Sequence, residues 1–148
     1  MAREHFQKPN TFERLINKTV GVLARWGLGP SYIHILEVRG RSSGNMYSTP
    51  VNVLEMGERC YLVGGRGHTA WSKNASVVGR VTLRRGSKVQ EYRAVPLSND
   101  QKPAVLKAYL EAYPGTVQRF FSVQAGSPVE AFRAIVDQHP VFEVMRQH

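Results

Sequence analysis

The 148-residue sequence holds a single cysteine, Cys60. That excludes an intrachain disulfide framework and any zinc site built on several thiolates. No apolar run approaches the ~20 residues of a membrane-spanning helix, and residues 1–10 (MAREHFQKPN) are too polar for a signal peptide. The expectation is a cytoplasmic protein. The five histidines (His5, His34, His68, His139 and His148) show no ligand spacing, so no metal site is expected. Acidic residues are also few, 11 against 20 Lys and Arg, for a net charge of +9. A nucleic-acid-binding module is compatible with that excess. However, no helix concentrates Lys and Arg, and no strand interleaves them with aromatics, so no specific nucleic acid is expected as partner.

The charge is not spread evenly. From Arg39 to Arg93 ten basic residues face only Glu55, Glu58 and Glu91, so this segment carries +7 of the total. Either it is a solvated basic face or it builds a site for an anion. A chain of this length buries roughly two thirds of its unfolded surface as one domain and needs no staples.

Hydrophobic spacing sets the expected elements. Phe12, Leu15, Ile16, Leu23 and Trp26 lie on one stripe of a helix over 11–26, stopped by Gly27, Gly29 and Pro30. Its Lys18 and Arg25 allow at most a peripheral membrane contact. Tyr32–Val38 reads as a strand and Gly40–Thr49 as a loop. Strands Pro50–Met56 and Cys60–Val63 follow, joined at Gly57-Glu58. A glycine-rich loop, Gly64–Gly67, runs on through His68, Trp71 and Asn74. Val78–Arg84 and Val89–Val95 then form a hairpin whose tip, with Arg84, Arg85 and Lys88, is expected to be solvated.

The last third changes period. Ser98–Tyr113 carries Val105, Leu106, Tyr109 and Leu110 at helical spacing and ends at Pro114-Gly115. A short helix holds Val117, Phe120 and Phe121. Ser127-Pro128-Val129-Glu130 signals the start of another, with Phe132, Ile135 and Val136 turned inward. Pro140–Met145 closes the chain as a strand. About six short strands at hairpin spacing exclude a parallel sheet, which needs a helix between successive strands. The fold expected is α+β: a barrel over 31–97, a helical region over 98–138 and a closing strand over 140–145, in a single domain 1–148.

Chemistry concentrates in two turns. Gly40-Arg41-Ser42-Ser43-Gly44 combines backbone N–H groups, two hydroxyls and a guanidinium, the donors that hold phosphate or carboxylate. It is neither a Walker loop nor a Rossmann turn, since no Gly-Lys-Ser/Thr follows and no helix starts there. Downstream come Thr49-Pro50-Val51, the strand Tyr61-Leu62-Val63, the turn Gly64-Gly65-Arg66, Trp71-x-x-Asn74 and Arg80-Val81-Thr82. In this order and spacing the succession resembles the deazaflavin-dependent nitroreductase family over roughly residues 30–97.

The resemblance implies a split β-barrel like that of FMN-binding oxidoreductases, and coenzyme F420, a deazaflavin with a phosphodiester and an oligoglutamate tail. It implies that Gly40, Arg41, Ser42, Ser43 and Gly44 hold the phosphate and tail, with Pro50 also among the cofactor-binding residues. Gly64, Gly65 and Arg66 would line the ring, Trp71 and Asn74 fix its edge, and Lys73 reach the tail. A polyanion of that kind matches the basic middle third. Ser42 stands where the family carries Lys or Arg, Tyr47 approximates an arginine before the loop's proline, and Gly64 replaces a serine. These departures leave FMN, or a non-catalytic flavin, haem or fatty-acid binder, as alternatives.

The activity implied is hydride transfer to a small organic acceptor: an activated alkene, a quinone or a nitroaromatic. No dedicated acid is required; Tyr47 and His68 are candidate proton donors, and Tyr113 and Phe120 candidate walls of a substrate pocket. Trp71 either covers the cofactor or plugs the barrel, and Cys60 is expected to be a small buried hydrophobe. Monomer and homodimer both remain open.

Overall fold

Six short segments rich in β-branched and aromatic residues generate the architecture. The computed structural model describes residues 32–146, so the helix expected over 11–26 lies outside the described residues. The strands are β1 (Ile33–Arg39), β2 (Met46–Met56), β3 (Arg59–Val63), β4 (Arg80–Arg85), β5 (Lys88–Pro96) and β6 (Val141–Arg146). They close into a barrel in the order β1-β2-β3-β6-β5-β4, and every neighbouring pair is antiparallel. Every strand has two neighbours, though Met46–Asn52 of β2 pairs with β1 alone.

Register assigns each side chain to a face. Val53 lies opposite Leu62, and both join Leu36, Val38, Val81, Leu83, Phe142 and Val144 in the barrel interior. One residue on, Leu54 lies opposite Tyr61, and both face outward. There they meet the helical third of the chain, where Val105, Leu106, Tyr109, Leu110, Phe132 and Ile135 complete a second buried cluster. Each fully buried Leu or Phe in these clusters contributes about 2 kcal/mol of hydrophobic stabilisation.

Three helices and two 3-10 segments cover this frame: α1 (Ala70–Val78), α2 (Lys102–Ala112), α3 (Pro114–Val117), a turn at Gln118–Phe120 and a longer 3-10 run at Val129–Gln138. Several boundaries differ from the sequence expectation. β2 starts at Met46, four residues early, because its pairing with β1 continues to Arg39; the first loop shrinks to residues 40–45. Trp71 to Asn74 stand on helix α1, not in a loop, and β4 begins at Arg80 instead of Val78. Gly79 separates the two elements: its φ of 78° is the left-handed C-cap conformation that glycine adopts without a Cβ penalty.

α2 begins at Lys102 because Ser98 donates from both its N–H and its hydroxyl to Gln101 Oε1, which holds the preceding residues in a turn. The segment after Pro128 winds as 3-10 with no side-chain cap; it buries Phe132 and Ile135 and leaves Val136 partly covered. The β4–β5 tip is also less solvated than expected. Arg84 donates to Glu37 Oε1 at 3.1–3.2 Å and Arg85 to the Ile33 carbonyl at 2.9 Å. Among the described residues no helix is long and apolar enough to cross a membrane.

Candidate functional site

The β1–β2 hairpin, the start of β4, the end of β5 and the start of β6 share one end of the barrel. Helix α1 lies across that end: Trp71 and Ala75 join the interior cluster, and the Trp71 ring packs 5.8 Å from Phe142. Trp71 is therefore a plug as well as a neighbour of the site.

The GRSSG turn is held from within and from below. Gly40 N–H donates to Asn45 O at 2.7 Å, Gly44 N–H to Gly40 O at 3.1 Å, and Asn45 N–H to Ser43 Oγ at 3.1 Å. Arg39 adds a guanidinium bond to the Gly44 carbonyl. Ser42 is exposed. The connection to α1 is one side chain. Asn74, 3% exposed, accepts at Oδ1 from the Arg41 backbone N–H (3.0 Å) and from Arg41 Nη1 (2.8 Å). Asn74 thus fixes both the turn and the direction of its arginine, a role different from holding a ring edge.

Beside this anchor opens a pocket of about 410 Å³. One face of α1 forms a wall with Ser72, Lys73, Ser76 and Val77; Arg41 and His68 flank it, and the strand ends at Leu97 and Phe142 floor it. Lys102, from the first turn of α2, also lines it. Three cations and no carboxylate therefore face one cavity. Part-exposed positive charges converging on one cavity attract an anion.

The second glycine turn is bolted to the segment before β6. Gly64 N–H donates to Pro140 O at 2.7 Å, and the buried His139 places Nδ1 3.0 Å from Gly64 O. A Cβ on Gly64 would stand 2.5 Å from Pro140 Cγ and 2.8 Å from the Gly67 carbonyl, so the serine common in the resembling family does not fit this packing. Gly65 faces Tyr109 and Phe121 at 3.6–3.9 Å. The Arg66 guanidinium lies 4.4 Å over the Phe120 ring, with Arg119 at 4.7 Å.

The remaining candidates sit apart from one another. Phe120 is buried under its two arginines, so it offers little open wall. Tyr113 donates its hydroxyl to Val53 O at 3.2 Å and packs on Tyr32 with ring centroids 4.5 Å apart. Pro50 is half-buried in β2 opposite Ile35, and Tyr47 is 48% exposed at the start of that strand. His68 places Nε2 2.8 Å from the Asp137 carbonyl at the pocket rim.

Burial dominates the titrations. It pushes the Tyr109 phenol up to about 12, partly opposed by the hydrogen bond from Asn52, and it raises Tyr113 as well. Both hydroxyls are therefore protonated at neutral pH. Burial lowers Lys102, with Asp137 pulling the other way, and raises the Cys60 thiol. Cys60 is no nucleophile.

Lys102 was absent from the sequence candidates for the ligand site. The signal for Lys102 was a lysine opening a helix, where the macrodipole favours an acid. The donor set suits a phosphate- or carboxylate-bearing cofactor: the Arg41 guanidinium, two ammoniums and the Ser72 and Ser76 hydroxyls line one pocket with no carboxylate, while the other residues of the GRSSG turn lie outside its lining.

Comparison with known proteins agrees with this chemistry. A family model described as F420H(2)-dependent quinone reductase matches residues 9–130. Among solved structures, an F420-H2 dependent reductase superposes with a TM-score of 0.52 at 23% identity, covering 76% of this chain and 93% of its own. A chain described as a domain-swapped dimer gives 0.56 at 22% identity, covering 90% and 92%. An FAD-binding protein from Mesorhizobium loti gives 0.51 at 12% identity, covering 90% and 89%. At these identities the structures establish the barrel fold. No curated protein matches the chain.

Proposed function

The chain belongs to the F420H(2)-dependent quinone reductase family, and from that premise we propose that this oxidoreductase delivers a hydride from reduced coenzyme F420 to a quinone or a similar activated alkene or nitroaromatic. The family's coenzyme is F420, which supplies a hydride when bound. The observation that carries the reading is the Arg41–Asn74 anchor beside a pocket lined by three cations.

In this reading the chain's residues divide the work. Asn74 holds the Arg41 guanidinium and backbone in register with α1, so the donors of residues 40–44 are set before the ligand arrives. Preorganised donors of this kind lose little entropy on binding. Arg41 and Lys73 take the anionic part of the coenzyme. Gly64 and Gly65 bring backbone close to the ring, backed by Tyr109 and Phe121. The half-buried Tyr32 and Tyr113 rings, with centroids 4.5 Å apart, offer a flat apolar surface that suits such an acceptor.

Reduction of a quinone by hydride requires one proton besides. The Tyr113 hydroxyl already donates to Val53 O and His68 Nε2 already meets Asp137 O. Tyr47 lies six residues along β2 from Val53, out of reach of an acceptor there, so we assign the proton to water.

The test is anaerobic oxidation of the reduced coenzyme by a water-soluble quinone, followed by the coenzyme's absorbance. The reading expects turnover that saturates in both reactants. Binding of coenzyme without turnover on quinone, enone or nitroaromatic would leave a cofactor-binding protein and overturn the assignment of an acceptor. For Arg41→Ala the expected loss in coenzyme affinity is ~1.5–3 kcal/mol, the worth of a charge-assisted contact.

A further inference from the structure

Lys102 is an anomaly that the anchor described above does not explain. It opens α2, and no acidic residue accompanies it in the first turn, so its charge sits at the positive end of the helix dipole. The residue is 8% exposed as a whole, and its ammonium is part-buried. Among the described residues its ammonium makes one hydrogen bond, 2.9 Å to the Val136 carbonyl. An ammonium carries three donors. No carboxylate lies within salt-bridge distance of it among the described residues; Asp137 acts on it only as a more distant charge, its Oδ1 taken by Asn99.

A part-buried charge without a counter-ion carries a desolvation cost that an anion at its free donors would offset. Lys102 lines the pocket that Arg41 and Lys73 also face. If its role were only to cap the 3-10 run, a neutral donor would serve without the desolvation penalty. Three cations and no carboxylate line that cavity.

We infer that Lys102 is a third cation of the coenzyme site, supplied from outside the barrel strands, and that it binds an anionic group of the coenzyme's tail in the pocket alongside α1. The inference rests on the functional reading above and adds a residue that discriminates between ligands by their tails. It makes the helical region, which otherwise packs on the barrel's outer face, a participant in coenzyme selection. The Val136 carbonyl then serves to aim the ammonium, which leaves its remaining donors for the ligand.

Three ligands test this by fluorescence titration: the deazaflavin riboside with no phosphate, the form with the phosphodiester but no glutamate, and the complete coenzyme. Lys102→Met keeps the apolar stem and removes the charge; Lys102→Arg keeps the charge. For Lys102→Met the dissociation constant of the complete coenzyme is expected to rise about 10-fold or more, the size of one charge-assisted hydrogen bond. The riboside should shift less than about 2-fold, and Lys102→Arg should recover most of the loss. A loss shared by the phosphodiester form places the ammonium on the phosphate; a loss confined to the complete coenzyme places it on a glutamate carboxylate. Either supports the inference.

An equal loss for all three ligands, with a lowered melting temperature in Lys102→Met, would reduce the residue to a cap and overturn the inference. So would unchanged binding of all three. If the wild-type protein binds none of the ligands, the functional reading itself fails, and the inference with it.

Discussion

Substituting Asn74 separates two things that Arg41 needs: a place and a charge. Asn74→Ala removes the acceptor for both Arg41 donors at once. A neutral hydrogen bond is worth about 1 kcal/mol and a charge-assisted one about 2 kcal/mol. The guanidinium is only part-buried and regains water, so the expected loss is about 2 kcal/mol, or roughly 6–8 °C in melting temperature for a chain of this size. Asn74→Asp behaves differently. A carboxylate accepts from the same two donors, so the turn stays anchored and the melting temperature should move by less than about 3 °C. The added negative charge faces the ligand, however. At about 7 Å and an effective dielectric near 20 it costs about 2 kcal/mol of anion binding, or roughly 30-fold in the dissociation constant. Calorimetry and a coenzyme titration on both variants make the comparison. Asn74→Asp melting like Asn74→Ala, or binding coenzyme like the wild type, would refute the assignment of Asn74 as the support of an anion-binding arginine.

Other consequences follow from the same geometry. Gly64→Ala should destabilise the fold by about 2 kcal/mol, because its Cβ meets Pro140 and the Gly67 backbone at 2.5–2.8 Å; Gly65→Ala, with nothing nearer than 3.6 Å, should melt near the wild type. Urea denaturation of both decides whether the second turn is as tightly bolted as described. His34 is held below its usual pKa, first by burial. The unfolded chain therefore protonates first, and stability should fall as pH drops through about 6.5, with a smaller fall in His34→Gln. Tyr109 is raised to about 12, so its contribution is present below about pH 10 and is lost as pH rises from 10 towards 12. Tyr109→Phe should flatten that limb of the stability profile, measured by urea melts at about pH 9 and pH 11.

The barrel was legible because its signal is local. Short runs rich in β-branched and aromatic residues in β1, β3 and β5, and two-residue turns at Gly57-Glu58 and Gly86-Ser87, mark the strands and their pairing without long-range information. The α1 helix was not. Only Trp71 and Ala75 supply it with apolar contacts to the barrel, and the rest of the segment, rich in Ser, Asn and Val, has weak helix propensity. Its stability comes from lying on the barrel end, which no window of sequence displays. The same limit applied to the site. Arg41 was visible as a donor in a glycine turn, but its partner Asn74 is 33 residues away. Lys102 is 61 positions from Arg41 and shares a cavity with it only because α2 packs against the 3-10 run and the strand ends.

One titration bears on the account more directly than any other: oxidised coenzyme F420 added to the purified protein, followed by its fluorescence over a series of salt concentrations. The account predicts saturable binding that weakens as salt rises, because part-exposed cations supply much of the attraction and ions screen them. It also predicts a clear loss of affinity in Arg41→Ala. No fluorescence change at saturating coenzyme, or binding indifferent to both salt and Arg41, would contradict it.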